Sequence, residues 1–536
     1  MTLKNMVFMI NHAKSAPFLI YTIVTVFHRV GHAAETITTH FHAELPRHSG
    51  TYRSTSAGFA DTRPPLHWGC VGMSTGTADT TETRISEPPS SLKEFLSYMG
   101  PAWVFTASQI GGGEVLSVPL GGAYLGMEGI WLIPLITFTK IFGQYYLVRY
   151  GVMTGDTFLD ALYEKSWALK WIFYYVFLGG LIYAIGLSGH LGETAGALNT
   201  LAPLSTEVWM IATVLAGLAI VGLRSYGLIE KLATSLLWIF LILIAFVSLS
   251  TAGVWAPNLA SGLVPSMPGR VEGLGVGGMA FILTMFGWIG AGFGPTVSYV
   301  WFAKDKVMGM FEPLDNGVEI DKYDLTDEEV DRLKGWGDIV LWQNLLSSAI
   351  LAVFSFFMWT AAAATLHVQG IQPSGFTVIP EMAAIFTTQF GEWSAILFLL
   401  TTVAALFSTL IGPMYGMSRL WEDAFALHGL FDNYNITRDT VFRLTIVLFA
   451  VIPLSLNLFI EAPLILFALS GALFAPAIGL MYLAVMYMSF EIDIDSLSPV
   501  RTWAVALAVF AGVVMIISGL WEARSSIETI QTLIGL

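Results

Sequence analysis

Cysteine and basic residues are scarce in this chain of 536 residues: there is one cysteine, Cys70, and 25 Lys and Arg stand against 39 Asp and Glu. Each scarcity excludes a class of function. A single cysteine forms neither an intrachain disulfide nor a thiolate metal site. A formal net charge of −14 offers no electrostatic footprint for nucleic acid, and no nucleic-acid partner is expected. No Gly-x-x-x-x-Gly-Lys-Ser/Thr loop occurs, and no histidine cluster lies in the apolar runs to build a catalytic metal centre. An enzyme is therefore not expected, nor a resident cofactor.

What the chain has instead is apolar length. Hydrophobic residues make up 55% and charged residues only 12%. Apolar runs of the roughly 20 residues needed to cross a bilayer recur along it. They fall near 98–125, 128–150, 169–190, 206–223, 230–251, 277–301, 338–366, 393–415, 441–460, 463–489 and 500–521. This pattern predicts an all-α polytopic membrane protein of about eleven spans, with the lipid bilayer as its surroundings. If the first span enters from the cytoplasm, the inner loops hold Lys93, Lys165, Lys170, Arg224, Lys304, Lys306, Lys322, Arg332, Lys334, Arg419, Arg438 and Arg501. The outer loops and the C-terminal end hold little more than Arg270 and Arg524. The positive-inside rule then places the N-terminus in the cytoplasm and the C-terminus outside, in the plasma membrane.

The first 72 residues read differently. Seven of the ten histidines lie there, together with Cys70, and the apolar run from Ala16 to Phe27 is too short to span. A metal-capturing tail, a targeting peptide and residues upstream of a start at Met73 all fit, and we favour the last. The Thr/Ser/Pro-rich stretch after it, grouped as 73–97, reads as a disordered cytoplasmic tail.

Two spans are interrupted. In the first, Gly111-Gly112-Gly113-Glu114 puts three glycines and a carboxylate where a helix should be continuous. Glycine frees backbone groups, and in hydrocarbon such groups survive only where they line a cavity or bind a ligand. A carboxylate at that depth marks a functional site. In the sixth, Gly287-Trp288-Ile289-Gly290-Ala291-Gly292-Phe293-Gly294-Pro295-Thr296 is broken midway. The breaks lie five spans apart, so two five-helix halves, 98–251 and 252–489, are related by inversion, and 490–536 adds an eleventh helix. This is the pattern of a secondary transporter with a midplane site between two discontinuous helices.

At this point the chain resembles the NRAMP family of divalent-metal transporters, from about Gly100 to Tyr487. Arg149-Tyr150-Gly151-Val152-Met153-Thr154-Gly155 looks like the family's Arg-Leu-Gly-Val-Val-Thr-Gly. Gly222-Leu223-Arg224 with Leu228-Ile229-Glu230 is similar to its entry into the fifth helix, and Phe407-Ser408-Thr409-Leu410-Ile411-Gly412 with Trp421-Glu422-Asp423-Ala424-Phe425 to its eighth. The resemblance implies the LeuT-like 5+5 inverted repeat of the amino-acid transporter superfamily, with a divalent metal ion as substrate and a proton as candidate co-substrate.

Carried over position by position, the family's Asp-Pro-Gly-Asn becomes Gly111-Gly112-Gly113-Glu114, so the aspartate is missing. Its sixth-helix alanine carbonyl falls on Ala291, its methionine on Gly294 and its histidine on Thr296. Its third-helix acidic pair, associated with the proton pathway, becomes His190 and Glu193, one turn apart on one face. The tenth-helix ligand finds no register, although Ser470 lies near. On this basis Gly111, Gly112, Gly113, Glu114, Ala291, Gly294 and Thr296 line the substrate path, with Glu114 and the carbonyls of Gly111 and Ala291 on the metal. Losing the thioether favours a hard ion such as magnesium or manganese, and glycines at 111–113 and 294 would widen the cavity for a hydrated one. One carboxylate does not neutralise a divalent cation, which leaves a small organic solute as the second reading.

Overall fold

The computed structural model describes residues 84–534 except 203, 269, 272–275, 291, 319, 321–323, 374–377, 432–435, 461–462 and 492–501. The histidine-rich lead, Cys70, Lys322, Arg501 and Ala291 lie outside the described residues. Seven helices are long and apolar enough to cross a membrane alone: Trp167–Leu201, Tyr226–Ser250, Asp327–His367, Glu392–Leu427, Arg438–Phe459, Leu473–Phe490 and Trp503–Trp521. Leu132–Thr154 follows a sharp corner of 112° and supplies a further span. The shorter apolar helix Thr206–Gly222 and the two interrupted spans bring the bundle to the expected eleven. A two-stranded hairpin, Arg270–Val271 with Val276–Gly277, is the departure from all-α structure.

The interruptions fall where the glycines are. Span 1 runs as Gly100–Gln109, turns at Ile110 and Gly111, and resumes through a wide turn at Gly113–Ser117 into Val118–Leu125. Span 6 runs as Gly278–Trp288, breaks at Gly290, whose φ of +79° is open to glycine at little cost, and resumes as Phe293–Asp305.

Short motifs fix the helix ends. Ser205 and Ser225 cap spans 4 and 5 by accepting from Val208 and Leu228 amides. Span 2 ends on Gly155 in the left-handed region, which glycine reaches without penalty.

At one end of the bundle charge replaces packing. The Glu422 carboxylate accepts from Arg224 at 2.8 Å and from Arg419 at 2.6 Å. Asp423 accepts from Trp301, Lys304 and Arg438, and Asp305 from Arg419 and Tyr415. These contacts join the second half of span 6, span 8, the start of span 9 and the turn into span 5. Lys306 adds Glu230, whose carboxylate occupies the space beside Gly100 at the start of span 1. Arg224 also stacks over Phe442, 4.3 Å from the ring centre.

The tail expected to be disordered as far as residue 97 is ordered from Arg84 onward. Arg84 pairs with Glu329 at 2.7 Å, Arg332 donates to the Ile85 carbonyl, and Trp336 to the Ser86 carbonyl. Ile85 is buried, and Pro88 fills the space left by Gly335. Ser91 and Glu94 then form a capping box for the helix Leu92–Tyr98. A composition rich in Ser, Thr and Pro hid one apolar anchor and one half-buried ion pair.

Glu422 holds two guanidinium groups with no exposure of its own side chain. Removing Glu422 leaves Arg419 with Asp305 and Arg224 with Asp439, both arginines partly exposed, so the loss of its buried contacts costs about 1–3 kcal/mol. Glu422→Ala is therefore expected to lower the melting temperature of the detergent-solubilised protein. Arg443→Ala, which breaks an exposed pair with Asp439, is expected to leave it nearly unchanged.

Candidate functional site

The two helix breaks meet around one peptide unit. The amide of Gly290 donates to Glu114 Oε1 at 2.7 Å, and the carbonyl of the same peptide, on Ile289, accepts from Lys140 Nζ at 2.7 Å. Both side chains are buried, Glu114 completely. Glu114 Oε2 has no partner among the described residues. A carboxylate bonded at one oxygen and open at the other is anchored in place and retains a vacant electron-rich position.

The surrounding groups come from four further spans. His190 on span 3 accepts at Nε2 from the Gly112 amide at 3.2 Å, so the histidine singled out by the sequence touches the first break directly. Its Nδ1 faces the Gly186 carbonyl one turn back, and the Ser470 hydroxyl of span 10 packs against Gly186. Ser470 therefore reaches the same region, although the resemblance left it without a register. Glu193, one turn beyond His190, is buried with both carboxylate oxygens unpartnered among the described residues. Thr296 accepts from Gln144 on span 2 at 3.5 Å. Ser408 on span 8 donates to the Ala107 carbonyl just before the first break.

Two expectations change. Glycine at 111 and 294 does not widen a cavity. The Thr409 side chain occupies the space a side chain at Gly111 would take, and the Tyr183 ring occupies the space at Gly294. These glycines admit neighbouring side chains. The Gly111 carbonyl also accepts from the Val115 amide at 2.8 Å, so its principal direction is committed to the helix. Gly113 and Glu114 lie in the wide turn that follows, not in an unwound segment. The Ala291 carbonyl falls outside the described residues.

Lys140, Gln144, Tyr183 and Thr409 are absent from the residues the sequence singled out. For Lys140 the signal was present, because a lysine amid Thr137-Phe138-Thr139-Lys140-Ile141-Phe142 in an apolar run meets the same criterion that selected Glu114. Tyr183 and Thr409 carried no such signal, since a hydroxylated side chain in a span is ordinary.

A family model described as "Natural resistance-associated macrophage protein-like" matches residues 102–522 of this chain. The chain belongs to the Nramp family. Among its relatives, the divalent metal cation transporter MntH of Caldanaerobacter subterraneus subsp. tengcongensis is 25% identical over 184 residues, which cover 33% of this chain and 43% of that protein. The chain thus spans less than half the length of this curated relative. A mutant of the Eremococcus coleocola manganese transporter has a crystal structure similar to this one with a TM-score of 0.63 at 14% identity, covering 84% of this chain and 95% of that one. The same transporter bound to an aromatic bis-isothiourea compound gives 0.63 at 15%, covering 82% and 89%. At this identity the likeness establishes the fold, which is the Nramp inverted repeat.

Within an Nramp fold the pairing of Gly294 with Tyr183 becomes a testable exchange of volume. Restoring the family's methionine by Gly294→Met drives its side chain into the Tyr183 ring, and overpacking costs about 1–3 kcal/mol. Gly294→Met is expected to lower the melting temperature, and adding Tyr183→Ala to recover most of the loss. Equal destabilisation in the single and double variants would show that the ring does not set the space at 294.

Proposed function

We propose that this protein is a secondary transporter that carries a divalent metal cation across the plasma membrane by alternating access, with Glu114 as the group that meets the cargo. The observation that carries this reading is the open Oε2 of a fully buried carboxylate at the point where two broken helices meet. The names of the relatives, a divalent metal cation transporter and a manganese transporter, point to the same class of cargo.

The donors in this reading are hard: the Glu114 carboxylate oxygen, the Thr296 hydroxyl and, as the resemblance implies, the carbonyl of Ala291. No thioether stands at 294, so magnesium or manganese suits the set better than a soft ion. The protein's own Lys140 compensates part of the Glu114 charge, and this observation keeps a small solute bearing an ammonium and a carboxylate as the second reading. His190 and Glu193 form the candidate proton route, His190 through its contact with the first break and Glu193 through its open carboxylate.

In this reading the charged end of the bundle, rich in Lys and Arg, is the cytoplasmic one, with the N-terminus inside and the C-terminus outside, as the positive-inside rule favours. It is closed by the Glu422, Asp423 and Asp305 network. At the opposite end a cavity of about 860 Å³ is lined by Tyr124, Glu128, Trp255, Asn258 and His367.

The test is uptake of magnesium, manganese and calcium into proteoliposomes, with Glu114→Gln in parallel. Saturable flux of one ion is expected for the native chain, falling to the protein-free leak in the variant. Undiminished flux in Glu114→Gln would remove Glu114 from the cargo site. No flux of any of the three by folded protein would turn the assignment to the organic solute.

A further inference from the structure

Span 2 crosses the bundle with one ammonium at its middle, which lies away from the charged end and faces Glu114 only across the Ile289–Gly290 peptide. Lys140 is 2% exposed, and among the described residues its only hydrogen bond goes to the Ile289 carbonyl at 2.7 Å. The position of that carbonyl gives the contact its meaning. It lies just past the last residue of the half-helix Gly278–Trp288, where the chain turns at Gly290 with φ of +79°. The final carbonyls of a helix have no partner within it and carry the negative end of its dipole. In hydrocarbon they cannot turn to water. In carriers built on discontinuous helices such carbonyl ends are where a coupling cation binds.

The other groups at this point do not meet the need. Glu114 lies across the peptide and uses Oε1 on the Gly290 amide. Gln144, one turn along span 2, is turned to Thr296. Span 7 presents Leu351 beside Gly290, and span 11 presents Trp503 against Phe142. A positive charge is therefore called for at the Ile289 carbonyl, and the chain supplies it from its own side chain.

We infer that the Lys140 ammonium is a tethered cation that occupies a coupling-cation position at the break of span 6, so that the carrier needs no sodium or potassium ion there. The inference rests on reading the two breaks as the transport pathway. It goes beyond the cargo assignment because it concerns what the carrier does not have to bind. Lys140 is a positioning residue: it holds the Ile289–Gly290 peptide so that its amide stays on Glu114. A diffusible cation at the same carbonyl would do the same and would make the carrier depend on its concentration.

The experiment reads stability, independently of flux. The purified full chain is melted in sodium, potassium and choline chloride at equal ionic strength, as native protein and as Lys140→Met and Lys140→Arg. The native chain and Lys140→Arg, which keep a tethered charge, are expected to melt at one temperature in all three salts. In Lys140→Met the vacated position admits a small cation but excludes choline. Its melting temperature is expected to rise by about 2–4 °C in sodium or potassium relative to choline.

A Lys140→Met protein that melts identically in the three salts would reduce Lys140 to a structural hydrogen bond. Sodium-dependent melting of the native chain would show that the position is not filled by Lys140. If Lys140→Met does not yield folded protein, Lys140→Gln takes its place, and the native chain alone can still overturn the inference. Divalent flux is not measured, so a failed cargo assignment and a failed tethered-cation assignment give different results.

Discussion

One constraint shapes the whole molecule: a backbone broken inside a bilayer has no water to satisfy it. The chain meets that constraint at the Ile289–Gly290 peptide, whose amide is held by Glu114 from span 1 and whose carbonyl is held by Lys140 from span 2. Opposite charges placed on the two ends of one peptide dipole stabilise its orientation, and the pair is neutral as a unit. Burying either charge alone in this environment would be far more costly than burying both. The carboxylate thus has a structural task that leaves one oxygen uncommitted.

The first break is satisfied by other means. His190 accepts the Gly112 amide, Ser408 donates to the Ala107 carbonyl, and the Gly111 carbonyl is taken up by Val115. Span 8 is the common support. Gly412 makes room for Ser108, Gly416 for Ser298, and Thr409 fills the space beside Gly111. The segment Phe407 to Gly412 thus packs directly against the break in span 1. The same holds at the charged end, where Gly222-Leu223-Arg224 and Trp421-Glu422-Asp423, far apart in sequence, meet as the Arg224–Glu422 pair at 2.8 Å.

These meetings explain what could be read in advance. Span number, the two interruptions and the inverted halves were legible because they are written in local composition: apolar length, glycine clusters and the spacing between them. Glu114 stood out for the same reason, as a polar group out of place in an apolar run, and His190 stood out only through the resemblance, at the position of the family's third-helix acidic residue. Tyr183 and Thr409 did not, because their importance lies in which glycine they face across the bundle. Lys140 stood between these cases, since its type and depth were visible and only its partner was hidden. The order of residues 84–98 was missed because Ser, Thr and Pro outnumber the two residues, Arg84 and Ile85, that anchor the segment.

Replacement of the family's methionine by Gly294 is not a simple loss of a ligand. The volume at 294 is taken by the Tyr183 ring, which also packs near Phe293 and Phe474. A polarizable donor on span 6 has thus given way to an aromatic wall from span 3, while the acidic residue expected on span 1 has moved three positions to Glu114 and gained Lys140 across the peptide. Each change alone would leave a void or an unpaired charge. Together they keep the interior filled and neutral, with oxygen donors and no sulfur at the matched positions. The repacking joins spans 1, 2, 3 and 6, and a methionine placed at 294 would meet the Tyr183 ring that already fills its place.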